Sequence, residues 1–175
     1  QLIAADATFT ISSDASFNSV TVGKGANSVS GNTVLGESAL DAAVSGGDNT
    51  AIGKSALTAN TSGTRNVAVG IDTLAVNTSG NDNTAVGRQA LDANTTGTGN
   101  TALGKSALTE NTTADNNVAV GINCMVQNTT GSENVAVGGF ALDANTTGIN
   151  NTSIGHGSLS ENSTASNNTA VGRMA

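Results

Sequence analysis

The chain has 175 residues, among them 22 Gly, no Pro, no Trp, no Tyr and three Phe, and 13 acids against 6 bases give it a formal charge of −7. That acidity is the wrong sign for a surface that tracks phosphates and argues against nucleic-acid binding. A single cysteine, Cys124, rules out an internal disulfide framework and a multi-cysteine zinc site. With 2% aromatic and 37% apolar residues, many of them Ala, each residue buries little hydrophobic area, so stability has to come from repetition or from partner chains.

The opening segment QLIAADATFTISS lacks the basic start and long apolar stretch of a signal peptide. No apolar run in the chain approaches the ~18 residues of a spanning helix. Leu2, Ile3, Phe9, Ile11 and Phe17 crowd into the first 17 residues. Residues 1–18 are therefore expected to cap the first repeat or to continue an upstream shaft, and the chain reads as a piece of a longer protein. Residues 19–175 read as one repeat domain, which starts with the short unit Ser19-Val20-Thr21-Val22-Gly23, 13 residues ahead of Asn32.

From Asn32 onward the pattern Asn-Thr/Val-Ala-aliphatic-Gly recurs at Asn49, Asn66, Asn83, Asn100, Asn117, Asn134, Asn151 and Asn168, always 17 residues apart. Surface loops of ordinary domains accept insertions cheaply, so an unbroken period means that neighbouring repeats stack. With Asn as position 1, position 4 is always aliphatic (Leu35 to Val171), position 5 is always Gly, and position 9 is Leu or Met (Leu40 to Leu159). Gly at position 5, the Asn-Thr-Thr-Gly run and the β-branched residues are poor for helix. The repeat reads instead as a strand over positions 2–4 and a second strand within positions 8–13, joined by Gly/Asn turns.

A coil of 17 residues is too short for a helical crossover, so successive coils should pair in parallel, each advancing ~4.8 Å. The expected fold is an all-β parallel β-roll, or β-solenoid, about 45 Å long on that spacing. The absence of Pro agrees, since each strand would sit in a ladder that Pro breaks. Side chains alternate across a strand. The preferred assignment puts the position-4 aliphatics inside against the position-9 Leu column and the small position-3 residues (Val34, Ala51, Ala68 and onward) against another chain. The alternative puts Ala inside a very flat roll and the aliphatics at an interchain axis. A weaker repeat of 51 residues overlies the coils, as in the Ala-Leu-Asp-Ala shared by Asp41, Asp92 and Asp143.

Segments such as NTAVGRQALDANTTGTGNTALGKSAL resemble the head repeats of YadA-type trimeric autotransporter adhesins, with their short Val-Ala-Ile-Gly strand. The Asn-Thr-Thr-Gly-linked form resembles repeats of phage tail fibres more closely still. The resemblance spans residues 19–175 and implies a left-handed roll, a homotrimer and attachment to a host cell-surface receptor or glycan, on a virion tail fibre or an extracellular cell surface. Coils of 17 residues depart from the roughly 14 usual in the autotransporter heads.

Catalysis needs converging titratable groups, and the single His156 and Cys124 lie about two coils apart. Cys124 takes position 8, where most repeats have Ala, and reads as a small core residue; His156 takes position 6, where Lys54, Arg88 and Lys105 mark an exposed turn. Gly23-Lys24-Gly25 lacks the spacing and helix of a phosphate loop. Gly46-Gly47-Asp48 is a single turn, not a calcium-binding nonapeptide. The Asn-x-Ser/Thr column at Asn60, Asn77, Asn94, Asn111, Asn128, Asn145 and Asn162 reflects turn geometry, and the Asn of positions 1 and 12 read as stacked hydrogen-bonding ladders. Bases gather at position 6 and most acids at positions 10, 11, 16 and 17, with Glu37 at position 6 and Arg65 at position 17 as exceptions. The chain is thus expected to be a non-enzymatic attachment-fibre segment with no cofactor, no metal, no nucleic-acid partner and no membrane insertion. Competing readings are an adhesin head that binds host matrix or glycan and, on the Thr columns at positions 13 and 14, an ice-binding surface.

Overall fold

The computed structural model describes residues 14–42 and 44–175. Leu2, Ile3, Phe9 and Ile11, and with them most of the expected N-terminal capping segment, lie outside the described residues. Among the described residues, eleven short strands form one sheet in chain order. They are β1 (Ala15–Phe17), β2 (Val20–Gly23), β3 (Thr33–Gly36), β4 (Thr50–Ile52), β5 (Val67–Val69), β6 (Thr84–Val86), β7 (Thr101–Leu103), β8 (Val118–Val120), β9 (Val135–Val137), β10 (Thr152–Ile154) and β11 (Thr169–Val171). From β3 to β11 every pairing is parallel and each residue faces the one 17 positions on, as in Thr33 opposite Thr50 and Ala136 opposite Ser153. The chain is a β-solenoid of about eight turns. Eight steps of strand spacing make the stack about 38 Å tall.

The start of the sheet differs from expectation. Ser19–Gly23 is not a short first coil of the parallel stack, because β2 runs antiparallel to β3 and β1 antiparallel to β2. Chain length explains this. A parallel return needs a full circuit, which takes residues 53–66 between β4 and β5, whereas only residues 24–32 separate β2 from β3. The β1–β2 turn is made by Asn18 and Ser19, both at positive φ (49° and 67°), the two-residue hairpin geometry that matches strand twist. The Asp14 carboxylate then accepts hydrogen bonds from the Lys24 and Gly25 backbone N–H groups at 2.7 and 2.6 Å.

Each coil carries one strand, not two. Positions 6–11 form consecutive turns, because positions 7 and 9 are left-handed: Ser55 and Leu57 have φ of 57° and 52°. The segment is still bonded coil to coil, Leu57 N–H to Thr73 O and Ala59 N–H to Ala75 O at 3.0 Å each, and Asp72 N–H back to Lys54 O at 3.0 Å. At position 5 the glycines from Gly53 to Gly172 have φ of 126° to 141°, a region closed to other residues, and a Cβ on Gly53 would strike the Gly70 carbonyl. The invariant Gly is thus a steric requirement of stacking.

The preferred inside-out assignment of the strand is overturned. Position 3 is interior: Val34 is 2% exposed, and Ala51, Ala68, Ala85, Ala102, Ala119 and Ala136 are fully buried. Position 4 points outward, with Leu35, Val86 and Ile154 exposed at 45%, 38% and 40%. The position-9 column, from Leu40 through Met125 to Leu142, fills the interior from the opposite wall, joined by position 8 (Ala39, Ala56, Ala90, Ala107, Cys124, Ala141). A roll this flat has room for one large side chain per coil, and the leucine of position 9 takes it, which leaves space only for a methyl group opposite. Side chains alternate with a period of two, so fixing position 3 inward sends positions 2 and 4 outward together.

Candidate functional surface

Two asparagine ladders hold the coils in register. At position 1, the backbone N–H of each Asn donates to the side-chain Oδ1 of the Asn one coil earlier, as in Asn66 to Asn49 at 2.9 Å and Asn83 to Asn66 at 3.0 Å. The same side chain donates through Nδ2 to the position-15 carbonyl of its own coil, Asn83 to Gly97 O at 2.8 Å. At position 12, Asn94 Nδ2 donates to Asn77 Oδ1 at 2.9 Å and to the same Gly97 carbonyl at 3.1 Å. Both columns converge on one carbonyl per coil, and these Asn side chains are buried from Asn49 to Asn145. The expected ladders are therefore present, and the Asn-x-Ser/Thr column from Asn60 to Asn145 is enclosed in the fold instead of being displayed as glycan acceptors.

The position-13 hydroxyls are committed as well. Thr61 Oγ1 donates to Thr78 O at 3.0 Å, and Thr95 Oγ1 to Thr112 O at 3.0 Å. Position 16 supplies a further ladder, in which Thr64 N–H donates to Asn81 Oδ1 at 2.8 Å and Thr98 N–H to Asp115 Oδ1 at 2.6 Å. Sequence reading missed this column because Thr, Asn, Asp and Ser alternate in it. Their common feature is an oxygen at the γ or δ position that can accept from the neighbouring coil.

The singled-out chemical groups do not converge. Cys124 is buried, its Sγ donates to Ala136 O at 3.3 Å, and burial pushes its thiol up to about 12, which removes the nucleophilic thiolate at neutral pH. His156 is exposed and its ring lies 5.7 Å from that of Phe140, tilted by 55°. The amides that make Gly23-Lys24-Gly25 look like an anion loop are occupied by Asp14. Among the described residues no three His, Cys, Asp or Glu side chains gather into a metal-binding group, and no helix is long and apolar enough to cross a membrane.

Three acids are perturbed, two upward and one downward. Burial raises Asp92, with Asp72 adding repulsion, and burial likewise raises Asp143, whose Oδ1 is enclosed with no hydrogen-bond partner among the described residues. On the surface, Arg65 grips Asp82 through two hydrogen bonds, Nε to Oδ1 at 2.6 Å and Nη2 to Oδ2 at 2.9 Å, which lower the Asp82 carboxyl and raise the guanidinium. Lys54 Nζ lies 3.2 Å from Glu37. Each ion pair joins adjacent coils within its own column, position 6 for Glu37–Lys54 and position 17 for Arg65–Asp82.

What the surface does offer is a continuous apolar strip. Along the outer face of the sheet Leu35, Val86, Leu103, Val137 and Ile154 are exposed, Ile52, Val69 and Val120 are half-buried, and the position-2 Thr and Val column lies beside them. Ile71 and Ile122 at position 6, 48% and 47% exposed, widen the strip at one edge. These features define a β-solenoid repeat protein with one flat aliphatic face and no convergent reactive groups among the described residues. Compared with protein families, curated proteins and solved structures, the chain matches none.

Proposed function

We propose that this chain is a non-enzymatic structural segment of a homotrimeric attachment fibre, of the kind its repeats resemble in phage tail fibres. In this reading it is a stiff rod that spaces a receptor- or glycan-binding part from its base, on a virion or a cell surface. The observation that carries it is the outward aliphatic column at position 4. Nine successive aliphatic side chains on one face form an apolar stripe along the whole stack, the kind of contiguous patch that marks an interaction surface. Three copies arranged around an axis parallel to the stack would remove that stripe from water, and the small interior of each chain, mostly Ala with one Leu per coil, supports a need for such burial. Ladder bonding in every coil suits a rod that bears load, since pulling one coil loose requires breaking a whole set of bonds at once.

The test is the mass of the assembled particle. Native mass spectrometry or sedimentation should give about 51 kDa, three times the 17.0 kDa chain. Val86→Asp with Val137→Asp should yield monomers that keep their far-UV spectrum, because both side chains face outward in the single chain. A wild-type chain that stays a folded monomer at micromolar concentration would overturn the proposal.

A further inference from the structure

Each strand of the stack is bounded by two exposed turn positions, the residue just before the Asn (position 17, the leading edge) and the residue just after the Gly (position 6, the trailing edge). At β4 these are Asp48 and Lys54, and at β6 they are Asp82 and Arg88. Six residues of extended chain separate the two edges by about 20 Å, so they cannot pair within one molecule. Among the described residues Asp48 and Arg88 join no ion pair, while Lys54 and Asp82 pair only up and down their own edges. From β3 to β11 no strand carries the same charge sign at both of these positions.

We infer that the trailing edge of each copy docks on the leading edge of the next, strand level with strand, and that Lys54–Asp48 and Arg88–Asp82 contacts form between copies in this register. The inference rests on the homotrimer proposed above. A cyclic assembly of identical chains about an axis parallel to the stack brings unlike edges together all the way round, and rotation alone leaves every strand at its own height. The level register therefore follows from closed symmetry, and the charges agree with it. Sliding one copy by one strand in one direction would set Glu37 against Asp48 and Lys54 against Arg65, but sliding it the other way sets Arg88 against Arg65 and Lys105 against Asp82. A two-strand slip pairs Glu37 with Arg65, Lys54 with Asp82 and Lys105 with Glu133, so the closed symmetry and not the charge pattern excludes slipped arrangements. Exposed pairs of this kind add little affinity; in the level arrangement they make the contact electrostatically complementary, with no like-charge pair at any strand.

Cysteine pairs read the register directly. In a Cys124→Ala background, Asp48→Cys with Lys54→Cys places thiols at both edges of β4, too far apart to close within a chain. Under mild oxidation we expect a disulfide-linked trimer on non-reducing gels, and the same from Asp82→Cys with Arg88→Cys at β6. Asp48→Cys with Arg88→Cys, offset by two strands or about 10 Å, lies beyond disulfide reach and should stay uncrosslinked. A particle of about 51 kDa by native mass spectrometry whose level pairs fail to crosslink, or whose offset pair crosslinks instead, would overturn this register while leaving the trimer standing. A monomer would remove both.

Discussion

Leucine at position 9 sits where few bulky residues go. Leu40, Leu57, Leu74, Leu91, Leu108, Met125, Leu142 and Leu159 all have φ between 48° and 52°, a conformation that costs an L-residue about 1–2 kcal/mol. Complete burial of a Leu side chain contributes about 1.5–3 kcal/mol, enough to outweigh that cost, and the coil gains a large side chain aimed across the flat roll. Leu91→Ala should therefore lose about 2–5 kcal/mol through transfer and cavity effects, while Val86→Ala should lose less than about 1 kcal/mol in the isolated chain. Denaturant midpoints measured under monomeric conditions will separate them. The acids at position 10 set a pH dependence. Asp92 and Asp143 hold their protons more tightly folded than unfolded, so their contribution to stability is greatest below the ordinary carboxylate range and declines as pH rises through their elevated values. Asp82 acts in the opposite sense but is solvent-exposed and screened. Asp143→Asn should raise the melting temperature at pH 7 and flatten its decline above pH 4, as thermal scans across pH would report.

Within one coil the strand supplies only three residues, and the turns do most of the bonding. Position 1 reaches the coil before it, position 12 reaches the coil before it, and both meet the position-15 carbonyl of their own coil. Asn94→Ala would leave Asn77 Oδ1 without its donor and deprive Asn111 Nδ2 of its 2.9 Å acceptor, while the Gly97 carbonyl keeps Asn83. The expected cost is about 1–3 kcal/mol, the penalty for buried groups left unpaired. Hydrogen exchange should show the loss concentrated in the coils that carry β5 to β7. Equal exchange across all coils would mean that the ladder is not what ties neighbours together.

Over the whole molecule, contacts repeat at a spacing of 17 residues, so each coil meets only the coils above and below it. Stability in such arrays is the sum of coil and nearest-neighbour contributions. Removing residues 83–99 joins Asp82 to Asn100 and should restore every column one coil shorter, giving a folded chain with a slightly lower melting temperature. Removing only residues 83–91 should break all columns at the junction and split the melting transition. Circular dichroism on the two deletions tests whether the period itself is the structural unit.

The period, parallel stacking, Gly at position 5, the interior Leu column and the Asn ladders were all legible in the sequence, because each depends on contacts between equivalent residues of neighbouring coils. Identical neighbours amplify a local preference into a visible column. Besides the mixed position-16 ladder, three features were not legible. Alternation along a strand makes the two orientations of Thr-Ala-Val equally regular, and only the width of the closed roll, filled by Leu91 and its equivalents, decided that Ala85 faces in and Val86 out. Positions 7 and 9 carry Gln89 and Leu91, which have no left-handed preference of their own, so the turns that replace the expected second strand arise from closing the circuit. The antiparallel hairpin of β1 and β2 likewise follows from the distance the chain between Gly23 and Thr33 must cover, a property of the folded path that a motif resembling the repeat strand does not carry.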